Sequence, residues 1–163
     1  MWRGSLVLAL CLRGQAGAQN AVGTPTLEAA VAQSHRALTA ILNGDPKGYK
    51  ALFADREDIT LGNPFGPFAS GRAAVAKTLA GAAAKYREGS ASVDLVAKYA
   101  DDKLACIVEV ENDRAKVGTS DTFAEFNVRV TSLYEKIDGN WRLVHRHADP
   151  ITTARPAESV LGK

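Results

Sequence analysis

The dipeptide Asp138-Gly139 stands between two long alternating runs, and no other feature limits the fold of this chain as strongly. Both residues tolerate positive φ, so the pair signals a two-residue hairpin whose twist matches its strands. Phe123 to Ile137 and Trp141 to His147 are therefore expected to be adjacent antiparallel strands. With that turn, Tyr134 faces Leu143, Ser132 faces His145 and Val130 faces His147. A one-residue slip would replace those neighbours by Leu133, Thr131 and Arg129. Period-two geometry puts Trp141, Leu143, His145 and His147 on one face, with Arg142, Val144 and Arg146 on the other.

The rest of the chain sorts into helices first and strands after. Thr24-Pro25-Thr26 opens a helix whose apolar side runs through Leu27, Ala30, Val31, Leu38, Ile41 and Leu42, with Gly44 able to end it. Asp45-Pro46 opens a short second helix, with Tyr49, Leu52 and Phe53 on its apolar side. Asp58 to Leu61 is a short strand, broken by the rigid loop Gly62-Asn63-Pro64-Phe65-Gly66-Pro67. A third helix follows Gly71, with Val75, Leu79, Ala82 and Tyr86 as its buried stripe. After Gly89 the period becomes two, through Val93 to Tyr99 and again through Leu104 to Glu111, with a turn at Asp101-Asp102. Asn112 to Ser120 reads as a polar loop. Helices followed by hairpin-linked strands make an α+β domain with an antiparallel sheet, and a cleft between the two layers is a natural small-molecule site.

Charge and the N-terminus narrow the partners. Residues 1–18 read as an export signal: Arg3, an apolar stretch from Leu6 to Leu12, then Ala16-Gly17-Ala18 before Gln19. The alternative is a mis-assigned start or a plain extension. The signal implies a periplasmic or secreted protein; without it the protein is cytoplasmic. Residues 19–25 form a linker, 26–155 the folded domain and 156–163 a tail. Lys and Arg number 20 against 18 Asp and Glu. Loss of Arg3 and Arg13 would balance them, which leaves no broad electrostatic footprint for nucleic acid or an anionic membrane. Cys11 would leave with the signal, so Cys106 has no intramolecular disulfide partner; its apolar neighbours favour a buried, inert thiol.

Several side chains are candidates for chemistry. His145 and His147, two apart on a strand, can hydrogen-bond neighbours, act as acid or base, or join Asp149, Glu109 or Glu111 around a metal. The first is preferred and the metal stands last, so no metal is expected. Glu109 and Glu111 share a strand face; turned inward they would become strong proton acceptors, but a solvated edge beside Asn112-Asp113-Arg114 is preferred. His35 reads as a structural histidine on the edge of the first helix, and Tyr134 and Trp141 as core or pocket wall. Gly66 to Arg72 lacks the lysine and hydroxyl of a phosphate loop.

Asp58 to Gly66, Gly71-Arg72 opening a helix, Arg129 to Tyr134, and Asp138-Gly139-x-Trp141-x-x-Val144-His145-x-His147-Ala148-Asp149-Pro150 form a pattern. It resembles SnoaL-like proteins of the nuclear transport factor two-like, or ketosteroid isomerase-like, superfamily across about residues 26 to 155. The ending also resembles the association domain of calcium/calmodulin-dependent kinases. The resemblance implies a cone-shaped barrel of three N-terminal helices packed on a strongly curved, mainly antiparallel sheet, with a pocket at the wide end and a homodimer formed through the sheet. It implies a small apolar ligand and, if the protein is an enzyme, cofactor-free isomerisation, dehydration or cyclisation. Ketosteroid isomerase combines an aspartate base with a tyrosine and a protonated aspartate, a trio that has no clear counterpart here. Polyketide cyclases use an acidic residue near a histidine, of which His145, His147 and Asp149 are the nearest echo. Those three are the expected catalytic set, and Asn63, Phe65, Glu109, Arg129, Tyr134 and Trp141 the expected ligand contacts. The rival expectation is a non-catalytic binding or assembly module, marked by a filled cone and an apolar outer sheet.

Overall fold

The computed structural model describes residues 25–161; the expected export signal with Cys11, and the expected linker up to residue 24, lie outside them. Helix α1 spans Leu27–Ile41 and starts where the Thr26 hydroxyl accepts the Ala29 N–H at 3.1 Å. That bond satisfies one of the donors every helix N-terminus leaves open. Helix α2 spans Lys47–Leu52, with the Lys47 N–H donating to Asp45 Oδ1 just before it. Helix α3 spans Arg72–Ala83 and buries Val75, Leu79 and Ala83. The strands are β1 Thr60–Gly62, β2 Ala69–Ser70, β3 Tyr86–Ala100, β4 Leu104–Val117, β5 Phe123–Ile137 and β6 Asn140–Asp149, before a short 3-10 turn at Ala157–Val160.

The six strands lie in the order β2-β1-β6-β5-β4-β3. Only β1 and β6 run parallel; every other pair is antiparallel. The sheet curls around the helices without closing, giving the expected α+β cone. Its core joins Leu38 and Ile41 of α1, and Leu42 just after it, to Leu61, Ile107, Tyr134 and Leu143 of the sheet. Asp138 and Gly139 have φ of 49° and 78°, so the hairpin turn has positive φ at both positions, as the dipeptide required.

Four departures from the sequence reading matter. Tyr86 is the first residue of β3, not the end of the third helix, and β2 gave no signal of its own. Asn112 to Val117 is not a loop; it completes β4. Pairing with β3 and β5 on both sides outweighs the weak strand preference of Asn112-Asp113-Arg114. Cys106 is half-buried on the outer face of the sheet rather than sealed in the core.

The fourth departure is a β-bulge in the last hairpin. Tyr134 pairs with Leu143 as expected, but the next pairs are Leu133 with His145 and Thr131 with His147. Val144 is the extra residue, and it is buried beside the equally buried Leu143. Beyond it the faces exchange. Arg146 and Ala148 turn inward and are buried, whereas His145 is half-buried and His147 exposed on the outer face. A second irregularity at Glu88-Gly89 seats α1 on the sheet. A Cβ on Gly89 would stand 2.4 Å from the Leu42 Cβ and 2.7 Å from the Leu42 carbonyl oxygen, so only glycine allows this approach.

Candidate functional site

Between the helices and the inner face of the sheet lies a cavity of about 350 Å³. Leu38 and Ile41 of α1, Leu42 just after it, Tyr49 of α2, and Leu79 and Ala82 of α3 form one side. Tyr86, Phe126, Val128 and Ala148 form the sheet side. Pro64, Phe65 and Pro150 line the cavity and are also exposed, which marks its mouth. Asn63 lines it too, and its Oδ1 accepts the Phe65 N–H at 3.0 Å, fixing the loop that carries the Phe65 ring.

Three alternate residues of β4 are acidic and inward, and two of them, Glu111 and Asp113, line the cavity with Arg146 of β6. Glu109, Glu111 and Asp113 all point inward, and each is no more than 5% exposed. This overturns the preferred reading of Glu109 and Glu111 as a solvated edge. Buried charge needs a partner, and two of the three carboxylates have one. Glu109 Oε1 lies 2.8 Å from His35 Nε2. That bond raises the His35 pKa against the opposing effect of partial burial. Glu111 Oε2 accepts from Arg146 Nη2 at 2.6 Å, with both side chains buried. Burial works against the Arg146 charge, but Glu111 and Tyr49 outweigh it and keep the guanidinium protonated. The Tyr49 ring centroid lies 5.5 Å from the guanidinium carbon, and burial raises the pKa of its phenol.

Asp113 is different. Its Oδ1 has no hydrogen-bond partner among the described residues. Burial, then the nearby Glu111 charge, push its pKa up to about 7, with Arg146 pulling the other way. Beside it Tyr86 stacks on Phe126 with ring centroids 5.6 Å apart, and burial lifts the Tyr86 phenol to about 12. The wall thus combines a fixed ion pair, a carboxyl that titrates near neutrality and aromatic surface.

The other expected residues lie elsewhere. His145 and His147 stand on the opposite face of the sheet from the cavity. His145 Nδ1 meets Thr60 Oγ1 at 2.7 Å, and its pKa is lowered by burial and by His147. Phe68 lies over both imidazoles, 6.2 Å from His145 and 5.3 Å from His147 between ring centroids. Asp149 takes both Arg129 contacts, at 2.8 and 2.9 Å. Burial opposes its charge, but Arg129 and the Ile151 N–H hold the carboxyl below its ordinary range. The imidazoles, Arg129 and Asp149 therefore share the outer face with Thr131 and Leu133. Tyr134 is core: its hydroxyl donates to Ser34 Oγ at 3.0 Å, and burial raises its pKa to about 12. Trp141 is half-buried against the core. Among the described residues no cluster of three or more His, Cys, Asp or Glu is placed to hold a metal.

Sequence reasoning missed Asp113 and Arg146. Asp113 sits in a polar stretch with the composition of a loop, and alternation alone puts Arg146 on the face away from the histidines without giving it a role. The available signal was the unbroken period two of Glu109, Glu111, Asp113 and Ala115.

Comparison with known proteins agrees with this architecture. A nuclear transport factor two-like superfamily protein from Salmonella enterica serovar Typhimurium superposes with a TM-score of 0.68 at 16% identity, over 79% of this chain and 91% of that one. A ketosteroid isomerase-like protein from Erwinia carotovora gives 0.65 at 15%, over 77% and 94%. A chain from Thiobacillus denitrificans, assigned as a calcium/calmodulin-dependent protein kinase type II association domain, gives 0.63 at 21%, over 77% and 95%. At these identities the likeness is one of fold. No curated protein matches the sequence. The family model of the SnoaL-like domain matches residues 28–152, which is most of the chain. This protein therefore has the fold of nuclear transport factor two-like proteins and belongs to the SnoaL-like domain family.

Proposed function

We propose that the protein binds a small, mostly apolar molecule in the cone and moves a proton on it, with Asp113 as the acid–base group and no metal or organic cofactor. One observation carries this reading: a buried carboxyl on the wall of an apolar cavity, without a partner for Oδ1 and with its pKa raised to about 7. A group that titrates near the working pH has both protonation states available. With a carbonyl substrate, ionised Asp113 takes a proton from the carbon beside the carbonyl. The C–H electron pair becomes the enolate, and the oxygen that gains charge is stabilised by the fixed positive charge of Arg146. Asp113 then returns the proton to another carbon, which isomerises the substrate, or to a departing hydroxyl, which dehydrates it. The ketosteroid isomerase-like neighbour supports the general class and does not identify the substrate.

The test is turnover on a panel of unsaturated and hydroxylated ketones. Asp113→Asn should lose about a hundredfold or more in kcat, within the usual range for removing an acid–base group. His145→Ala and His147→Ala should each stay within a few-fold of the parent. Full activity of the Asp113 variant together with loss in either histidine variant would move the chemistry to the outer face and end this reading.

The same chain is proposed to form a homodimer through the outer face of the sheet. Tyr99 and Leu104 are exposed there, beside half-buried Cys106, Val108, Val110 and Leu133. Such a patch on a soluble domain asks for a cover. The neighbour named for an association domain supports a second copy as that cover. Light scattering on the eluted protein should give twice the chain mass, and Val108→Arg should give the single chain. A monomeric parent protein would refute the dimer.

A further inference from the structure

The wall of the cavity is short of positive charge. Of the two β4 carboxylates that line it, Glu111 is matched by Arg146, which leaves Asp113 alone; Glu109, which does not line it, lies against His35. The groups facing Asp113 from the other elements do not correct this. Arg146 of β6 has its charge matched by Glu111, with its Nε–H left without a partner among the described residues; β3 contributes the Tyr86 phenol, and β5 contributes Phe126 and Val128. Helices α1 and α2 present Leu38, Ile41 and Tyr49, with Leu42 just after α1. At the mouth the Lys85 ammonium donates to the Gly81 carbonyl at 3.1 Å. With Asp113 ionised, the polar wall therefore carries one negative charge in excess.

Charge balance discriminates between ligand heads. A carboxylate could reach the Arg146 Nε–H, which has no partner among the described residues, but it would set a further negative charge beside Asp113 and Glu111. A neutral head leaves the Asp113 charge unmatched. A protonated amine makes a charge-assisted hydrogen bond where water is excluded, and so restores neutrality. A second, independent feature points the same way. Phe65, Tyr86 and Phe126 form a row of rings along the cavity, with centroids 6.1 and 5.6 Å apart. Phe126 is the direct cross-strand partner of Asp113. Ring faces attract cations, and the Lys85 ammonium already lies 5.1 Å from the Phe65 centroid.

We infer that the polar end of this cavity takes a small lipophilic ammonium ion, one basic nitrogen on an apolar body, with Asp113 as its counter-ion. The inference rests on the cavity being a ligand site, not on the proton-transfer step. An amine held this way engages the proton-transfer carboxylate and would compete with a ketone substrate.

The test uses three compounds with one rigid body and different heads: adamantylmethylamine, adamantylmethanol and adamantanecarboxylate. Each is titrated calorimetrically into the full chain at pH 8. The amine should bind about tenfold or more tighter than the alcohol, and the carboxylate weakest. Asp113→Asn should bring the amine to the level of the alcohol and leave the alcohol unchanged. On the parent protein, amine affinity should fall about tenfold from pH 8 to pH 6 while the alcohol barely moves. At pH 6 the amine should also expel close to one proton, read by repeating the titration in buffers of different ionisation enthalpy. These parent-protein readings hold even if the variant does not fold. An alcohol that binds as well as the amine, a preferred carboxylate, or an amine preference that survives Asp113→Asn overturns the inference and leaves the ligand site standing. Failure of all three compounds to bind overturns both.

Discussion

Asp113→Asn should make the protein more stable at pH 8, by up to about 4 kcal/mol, and should confer almost nothing near pH 4. The Asp113 pKa rises from an ordinary 3.8 to about 7 on folding, chiefly through burial. Between those values the folded chain holds a proton that the unfolded chain has lost, so stability declines as pH rises through this window. Above about 7 the full penalty remains. Asparagine has nearly the same shape and no charge to strand, so the advantage of the variant should grow steadily with pH. Urea unfolding of both proteins at several pH values measures this directly. An advantage that does not change with pH would mean that Asp113 is ionised throughout and has a partner. Together with the expected loss of turnover, the gain would mark Asp113 as a residue kept against the interest of stability.

Its neighbour on the same wall should behave in the opposite way. Arg146→Met is expected to destabilise the fold by about 3–5 kcal/mol, because it leaves the Glu111 carboxylate buried without a counter-charge. Both partners are at least nine-tenths buried, so solvent cannot take over. Combining Arg146→Met with Glu111→Leu should recover most of the loss, since an apolar pair in such a place is often as stable as an ion pair. Denaturation midpoints of the two single variants and the double variant decide it. A double variant no better than Arg146→Met would show that the guanidinium is held for its packing against Tyr49 rather than for its charge.

Much of the fold was open to the sequence because its signals are local. The start of the first helix after Thr24-Pro25-Thr26, the Asp138-Gly139 turn and the alternation of Phe123 to Ile137 each act within a few residues, and each is found, although the helix is capped by Thr26 with Pro25 outside it rather than in its first turn. The site was less open because its geometry comes from long-range pairing. Asn112 to Val117 has the composition of a loop and is a strand only because β3 and β5 hold it from both sides. Glu109 reads as a ligand contact in the sequence; it points inward without lining the cavity and lies against His35 across 74 positions of sequence, a partner that no spacing rule would supply. Arg146 was legible as a residue but not as a direction.

That direction depends on a single backbone residue. Because Val144 is looped into the hairpin, the side chains past it swap sides, and the cone receives a guanidinium where an unbroken ladder would have delivered two imidazoles. The pocket's electrical character is in this sense a matter of counting rather than of residue choice. Two chains of this family could spell His-Arg-His identically and still enclose opposite chemistries, according to whether one extra residue precedes those letters.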